Sequence, residues 1–188
     1  MADLTTHDES VASKDPVASL AGQVRHASPG TLARLRRLDP LTYPRAALFE
    51  RERMLQSAGI TALGADRERW ALVLHCLALV QGRHDPRTDA EPGKVLHGLH
   101  FSEARLEQLI EADKPLLFSL MPRIARRLAA AGATVNWRPL VDLLLGTSCD
   151  DPQREARADE ARQRLVRHFI GAQGLAEADA LRGVAQEA

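Results

Sequence analysis

Between Phe101 and Leu145, apolar residues recur every three or four positions in three successive runs. These are F-S-E-A-R-L-E-Q-L-I-E-A-D, K-P-L-L-F-S-L-M-P-R-I-A-R-R-L-A-A-A-G and A-T-V-N-W-R-P-L-V-D-L-L-L. That spacing predicts three helices separated by short breaks. At about 100° per residue, Leu116, Leu120, Met121, Ile124 and Leu128 of the middle run share one face. Arg123 and Arg126 lie on the other side, and Arg127 sits at the border. Pro122 interrupts the pattern, because a proline inside a helix removes a hydrogen bond and crowds the preceding turn. Either the helix kinks there or a new one starts near Ser119; in both cases the arginine row follows the break.

The same periodicity, punctuated by turn residues, extends over most of the chain. Residues 1–13 are polar and acidic without a period, which predicts a disordered lead. Asp15-Pro16 and Ser28-Pro29-Gly30 each place a capping residue before a proline, a helix-start signal. The first helix is expected to run to about Ala27. The second carries Leu32, Leu35 and Leu38 on one side, shows Arg34, Arg36 and Arg37, and ends at Asp39-Pro40. A charged helix follows over Pro44–Ser57, closed by Gly59. Asp66–Gln81 is the most apolar helix and hence the expected centre of the N-terminal bundle. Gly82–Gly93 is polar with two prolines and is read as a long loop, mobile or ordered by a partner.

Beyond it come a short helix over Glu91–Leu99, a cap at Ser102, a stop at Gly132 and a cap at Asn136. Asp151-Pro152 opens a last helix of alternating charge, held by Ala161, Leu165, Val166 and Phe169. Period-2 alternation never holds for a full strand, and no repeat of fixed period occurs. The predicted fold is all-α, with eight to ten helices in two adjoining bundles. The expected division is a lead over 1–13, an N-terminal bundle over 14–100, a C-terminal bundle over 101–172 and a flexible tail over 173–188.

Composition narrows the function. The 188 residues are 45% hydrophobic and 27% charged, enough for a packed core. Aromatics are only 4%, which argues against base stacking as the main mode of binding. Basic and acidic side chains balance at 25 each, so any attraction to nucleic acid must come from a segregated patch. Two such segments exist. Arg25–Arg37 contains no acid, and neither does Lys114–Arg138, which holds Lys114, Arg123, Arg126, Arg127 and Arg138. The chain has only three lysines, and arginine's planar fork suits phosphate. GC-rich coding would produce the same bias, and a solvated helix face is the plainer reading of such a cluster.

Other chemistry is thin. Cys76 and Cys149 form no paired motif, and the start of the chain lacks the pattern of a secretory signal. No apolar run approaches the roughly 20 residues of a membrane span. The expectation is a soluble, cytoplasmic protein. His97 and His100 stand three apart, as metal ligands on a helix can, but Gly98 weakens the helix and no ligand set is completed nearby. His75 reads as a satisfied core histidine. No P-loop, HExxH, GxSxG or GxGxxG occurs. No enzyme activity, cofactor or metal is expected.

Taken in order, the motifs resemble the CasB-type small subunit of the type I-E CRISPR Cascade complex. The resemblance rests on G-T-L-A-R-L-R-R, the apolar helix Trp70–Val80, and G-K-V-L followed by F-S-E-A-R-L-E-Q-L-I-E-A-D. It continues through I-A-R-R-L, N-W-R-P-L-V-D-L-L-L and Arg162–Phe169, covering about Ala18 to Gly171. It implies a non-enzymatic helical subunit that sits as a dimer in the guide-RNA complex, beside other Cascade subunits. Such a subunit helps hold the R-loop by touching the backbone of guide RNA and target DNA, including the displaced strand. Arg34, Arg36, Arg37, Arg126 and Arg127 match the family's arginine pattern; Lys114, Arg123 and Arg138 are added from local charge. The Gly82–Gly93 loop, the acidic tail and Leu165, where a tryptophan is expected, depart from it. The residues alone leave two other readings open: a helical protein–protein adaptor, and a metal-dependent hydrolase using His97 and His100.

Overall fold

A computed structural model describes residues 15–37 and 47–186. Among them are nine α-helices and no strand: α1 Pro16–Arg25, α2 Pro29–Arg36, α3 Leu48–Ser57, α4 Ala65–Leu79, α5 Pro92–Gly98, α6 Glu103–Ile110, α7 Lys114–Ala130, α8 Arg138–Gly146 and α9 Pro152–Gln186. The expected lead over 1–13 lies outside the described residues, as do Leu38–Pro40 and the first residues of the helix expected from Pro44.

The starts are set by side chains that satisfy the free N–H groups of a first turn. Asp15 Oδ1 accepts from Val17 N at 3.0 Å, Ser28 Oγ from Thr31 N at 3.1 Å, and Asp151 Oδ1 from Gln153 N at 2.9 Å. Asp113 does the same for α7 through Leu116 N at 3.0 Å. Ser102 occupies the cap position of α6 without making the side-chain bond. Gly59 and Gly132 close their helices in the left-handed region, φ 73° and 64°.

Every residue of α4 from Arg69 to Ala78 is buried. A helix apolar on all sides belongs in the middle of its neighbours, and α4 packs against α1, α2, α3, α7 and α8. The buried apolar side chains from Val17 to Phe169 form one cluster. Contacts of α4 with α7 and of α5 with α9 cross the division expected near residue 100.

Three expectations are narrowed or corrected. Of the two alternatives at Pro122, the second helix does not form: α7 is one element, and Pro122 is buried within it. The ring faces the core, where packing offsets the missing hydrogen bond. The Gly82–Gly93 segment is ordered by this chain itself. Asp85 N donates to Val135 O at 3.3 Å, Asn136 N to Ala90 O at 2.6 Å, and the buried Trp137 indole to Arg83 O at 3.0 Å. A 3-10 turn over Thr88–Ala90 finishes it. The last helix runs on into the span expected as a flexible tail, over 173–188, and ends at Gln186.

Two glycines let α9 approach its neighbours closely. A Cβ on Gly93 would stand 2.1 Å from Leu165 O, and one on Gly146 2.1 Å from Arg154 O. Backbone therefore meets backbone where α5 and α8 cross α9. Ala158, Ala161, Leu165 and Phe169 supply the buried stripe of α9, with Val166 partly buried.

Candidate nucleic-acid interface

The eight basic residues singled out by charge meet three different fates. Three are paired with carboxylates: Arg34 with Glu50 at 2.6 Å, Lys114 with Glu68 at 3.0 Å, and Arg138 with Asp15 at 2.6 Å. Two are spent on backbone. Arg36 Nε donates to Ala78 O at 2.9 Å. Arg127 Nη2 donates to Leu99 O and to His100 O, the second at 3.2 Å, and its guanidinium lies 5.9 Å from the Phe101 ring centroid. Its Nε is buried without an acceptor. The remaining three, Arg37, Arg123 and Arg126, are exposed and make no ion pair among the described residues.

The backbone bonds follow a rule that local charge does not reveal. The last carbonyls of a helix lack partners, and the helix dipole makes that end negative. Arginines from distant segments supply the missing donors. Arg36 and Arg25 serve the end of α4, the latter through Gly82 O at 3.1 Å. Arg69 serves the end of α8 through Thr147 O at 2.8 Å and Ser148 O at 2.9 Å. Arg162 reaches Ile110 O, the end of α6, at 2.8 Å, and Arg127 serves α5. Part of the arginine excess is thus structural. Arg25, Arg69 and Arg162 were not singled out from sequence, because their acceptors lie 57, 78 and 52 residues away.

The two acid-free segments do converge on one element. Leu35 O of α2 lies 2.9 Å from His75 Nδ1 of α4, and Arg36 holds Ala78. From the other segment, α7 packs along α4. Burial pushes the Cys76 thiol well above its usual range, and the nearby Arg126 pulls it partly back. Arg36 and Arg126 are therefore brought to the C-terminal part of α4 from positions far apart in sequence, and Arg37 follows Arg36 at the end of α2. Arg123 stands one turn earlier on α7, beside a groove against α6.

The other candidates are tied into packing. His97 meets Phe169 edge-on, with ring centroids 5.2 Å apart. Among the described residues no group of three or more His, Cys, Asp and Glu is placed to hold a metal ion. His84 Nδ1 accepts from Trp137 N at 3.1 Å, and burial holds its pKa below the usual histidine value. No described helix is long and apolar enough to cross a membrane.

Comparison with protein families gives a match over residues 31–169 to the model described as CRISPR-associated protein Cse2. The matched span starts in α2 and ends in α9 at Phe169, so it takes in residues 31–37 of the first acid-free segment and all of the second. Neither curated proteins nor solved structures give a match. With well over half of its length covered, the chain belongs to the Cse2 family, the small subunit of the type I-E CRISPR Cascade complex.

Proposed function

We propose that this Cascade subunit binds nucleic-acid backbone electrostatically, stabilising the R-loop and the guide–target assembly, and catalyses no reaction. What supports the reading most is that Arg37, at the end of α2, and Arg126, on α7, are exposed and make no ion pair among the described residues, while α2 and α7 both pack on the buried helix α4. Arg123 extends this set along α7. A subunit of this kind need not read bases, because guide–target pairing does so. It needs guanidinium groups held in place for phosphates. Arg36 and Arg127 serve by fixing α2 and α7 in position. Arg34, Lys114 and Arg138 contribute less field, because Glu50, Glu68 and Asp15 neutralise them. The balance of 25 basic and 25 acidic side chains keeps the free subunit from coating cellular nucleic acid. The partners in this reading are guide RNA, target DNA with its displaced strand, the other Cascade subunits and a second copy of the chain.

An adaptor role draws on a different observation. Phe49 and Leu63 are 81% and 75% exposed, apolar surface open to protein contact. R-loop formation by the complex separates the two readings. A complex carrying Arg37→Ala, Arg123→Ala and Arg126→Ala together assembles normally but opens target DNA less well. Full R-loop yield from an assembled triple variant would leave only the adaptor.

A further inference from the structure

The groove between α6 and α7 has a chemistry of its own. Its floor is apolar, built from Leu109, Leu120 and Ile124, with Phe101 at one end. Its rim is Arg105, Arg123 and Arg127, and no carboxylate lines it. Arg105 and Arg123 are exposed and make no ion pair among the described residues. The cavity measures about 310 Å³, at the lower end of small-ligand sites. That volume suits one ring system with its flanking groups, whereas a docked helix is about 10 Å across. The occupant must therefore join a flat apolar part to anionic flanks. An unstacked base between two phosphates of a single strand does so, and guanidinium planes both stack on bases and bind phosphate.

We infer that the α6–α7 groove receives one unstacked base of a single-stranded nucleic acid, with Arg105 and Arg123 holding the phosphates on either side. The inference rests on the backbone-binding reading and adds to it a preference for unpaired strand and a second anchoring point on α7. Arg127 is not free to take a phosphate with both arms, since Nη2 is held by Leu99 O and His100 O. It walls the groove instead, its guanidinium set against Phe101. Arg105 was passed over in the sequence because it stands among acids, in E-A-R-L-E-Q.

The test compares a labelled fifteen-residue oligothymidylate with the same strand carrying abasic sites, by fluorescence anisotropy with the full-length protein. The intact strand binds about tenfold more tightly, the usual scale for one seated base. Arg105→Glu, at an exposed position outside the core, abolishes that difference. Leu120→Asn does the same through the floor. Equal affinity for the two strands, with binding that still fades with salt, overturns the groove and leaves the backbone reading standing. An acidic helical peptide that competes with strand binding, when the intact and abasic strands bind equally, overturns the assignment and gives the groove to a protein partner. Absence of salt-dependent binding by both strands removes the groove and the backbone reading together.

Discussion

The Arg164 guanidinium closes on Glu91 with two bonds, Nε to Oε2 at 2.8 Å and Nη2 to Oε1 at 2.6 Å. Glu91 is fully buried, and Asn136 Nδ2 also donates to it at 3.1 Å. One carboxylate thereby ties the start of α5 to Asn136, two residues before α8, and to the middle of α9. Removing one partner of a buried pair strands the other. Arg164→Ala should cost about 3 kcal/mol, toward the lower end of such losses because Arg164 is itself 42% exposed. Urea denaturation measures it, and a loss within error of zero would show that the pair is not structural.

The same pair sets a pH limit. Burial raises the pKa of Glu91, but hydrogen bonds from Arg164 and Asn136 outweigh it and hold the carboxyl below its ordinary 4.5. A depressed carboxylate stabilises the fold above the unfolded pKa and loses that contribution as pH falls through the folded one. Stability should therefore drop below about pH 4.5. In Glu91→Gln the fall between pH 5 and 3 should be shallower. An unchanged acid limb would assign it to other carboxylates.

His84 acts at higher pH. Burial keeps it below its ordinary 6.5, Arg138 acts in the same direction, and Asp15 and Asp85 oppose them. Its Nδ1 must stay unprotonated to accept from Trp137 N. The unfolded chain takes up the proton first, so stability falls as pH drops below about 6.5. Unfolding midpoints at pH 7.5 and 5.5 should differ in the wild type and differ less in His84→Asn. NMR titration of the ring gives the direct check.

Glycines in the packed and projecting parts of the molecule should respond oppositely to alanine. Gly93→Ala and Gly146→Ala drive a Cβ into backbone at 2.1 Å and should cost roughly 1–3 kcal/mol or more. Gly171 and Gly174 meet nothing within 4 Å. Alanine there should add about 0.5–1 kcal/mol through helix propensity. Thermal unfolding and far-ultraviolet circular dichroism test both halves, and destabilisation by Gly171→Ala would contradict a helix continuing through that residue.

Much of the fold was legible in the chain. The starts Asp15-Pro16, Ser28-Pro29 and Asp151-Pro152 carry their caps within three residues, and the all-apolar run of α4 announces a central helix. The face of α7 was also legible, with Arg123 and Arg126 outward and Arg127 at the border. Long-range partners were not. Helical phase tells which way Arg138 points, but not that Asp15, 123 residues earlier, waits there. Nor does it show that Arg36 will find the end of α4. Charge counted along the sequence therefore overstated the free cationic surface: of the eight basic residues grouped, three are exposed and make no ion pair among the described residues. The Gly82–Gly93 segment misled for the same reason, since its polar groups are satisfied by Val135, Asn136 and Trp137 from a remote turn.

Salt dependence of nucleic-acid binding bears most directly on the proposed role. Each phosphate contact adds about −0.7 to −0.9 to the log–log slope of affinity against salt. Replacing Arg37, Arg123 and Arg126 with alanine should flatten the slope by about two units and weaken binding alike for all sequences. Replacing the paired Arg34 and Arg138 should change it little. A triple variant with the wild-type slope and affinity would contradict the assignment of phosphate contacts to these three guanidinium groups.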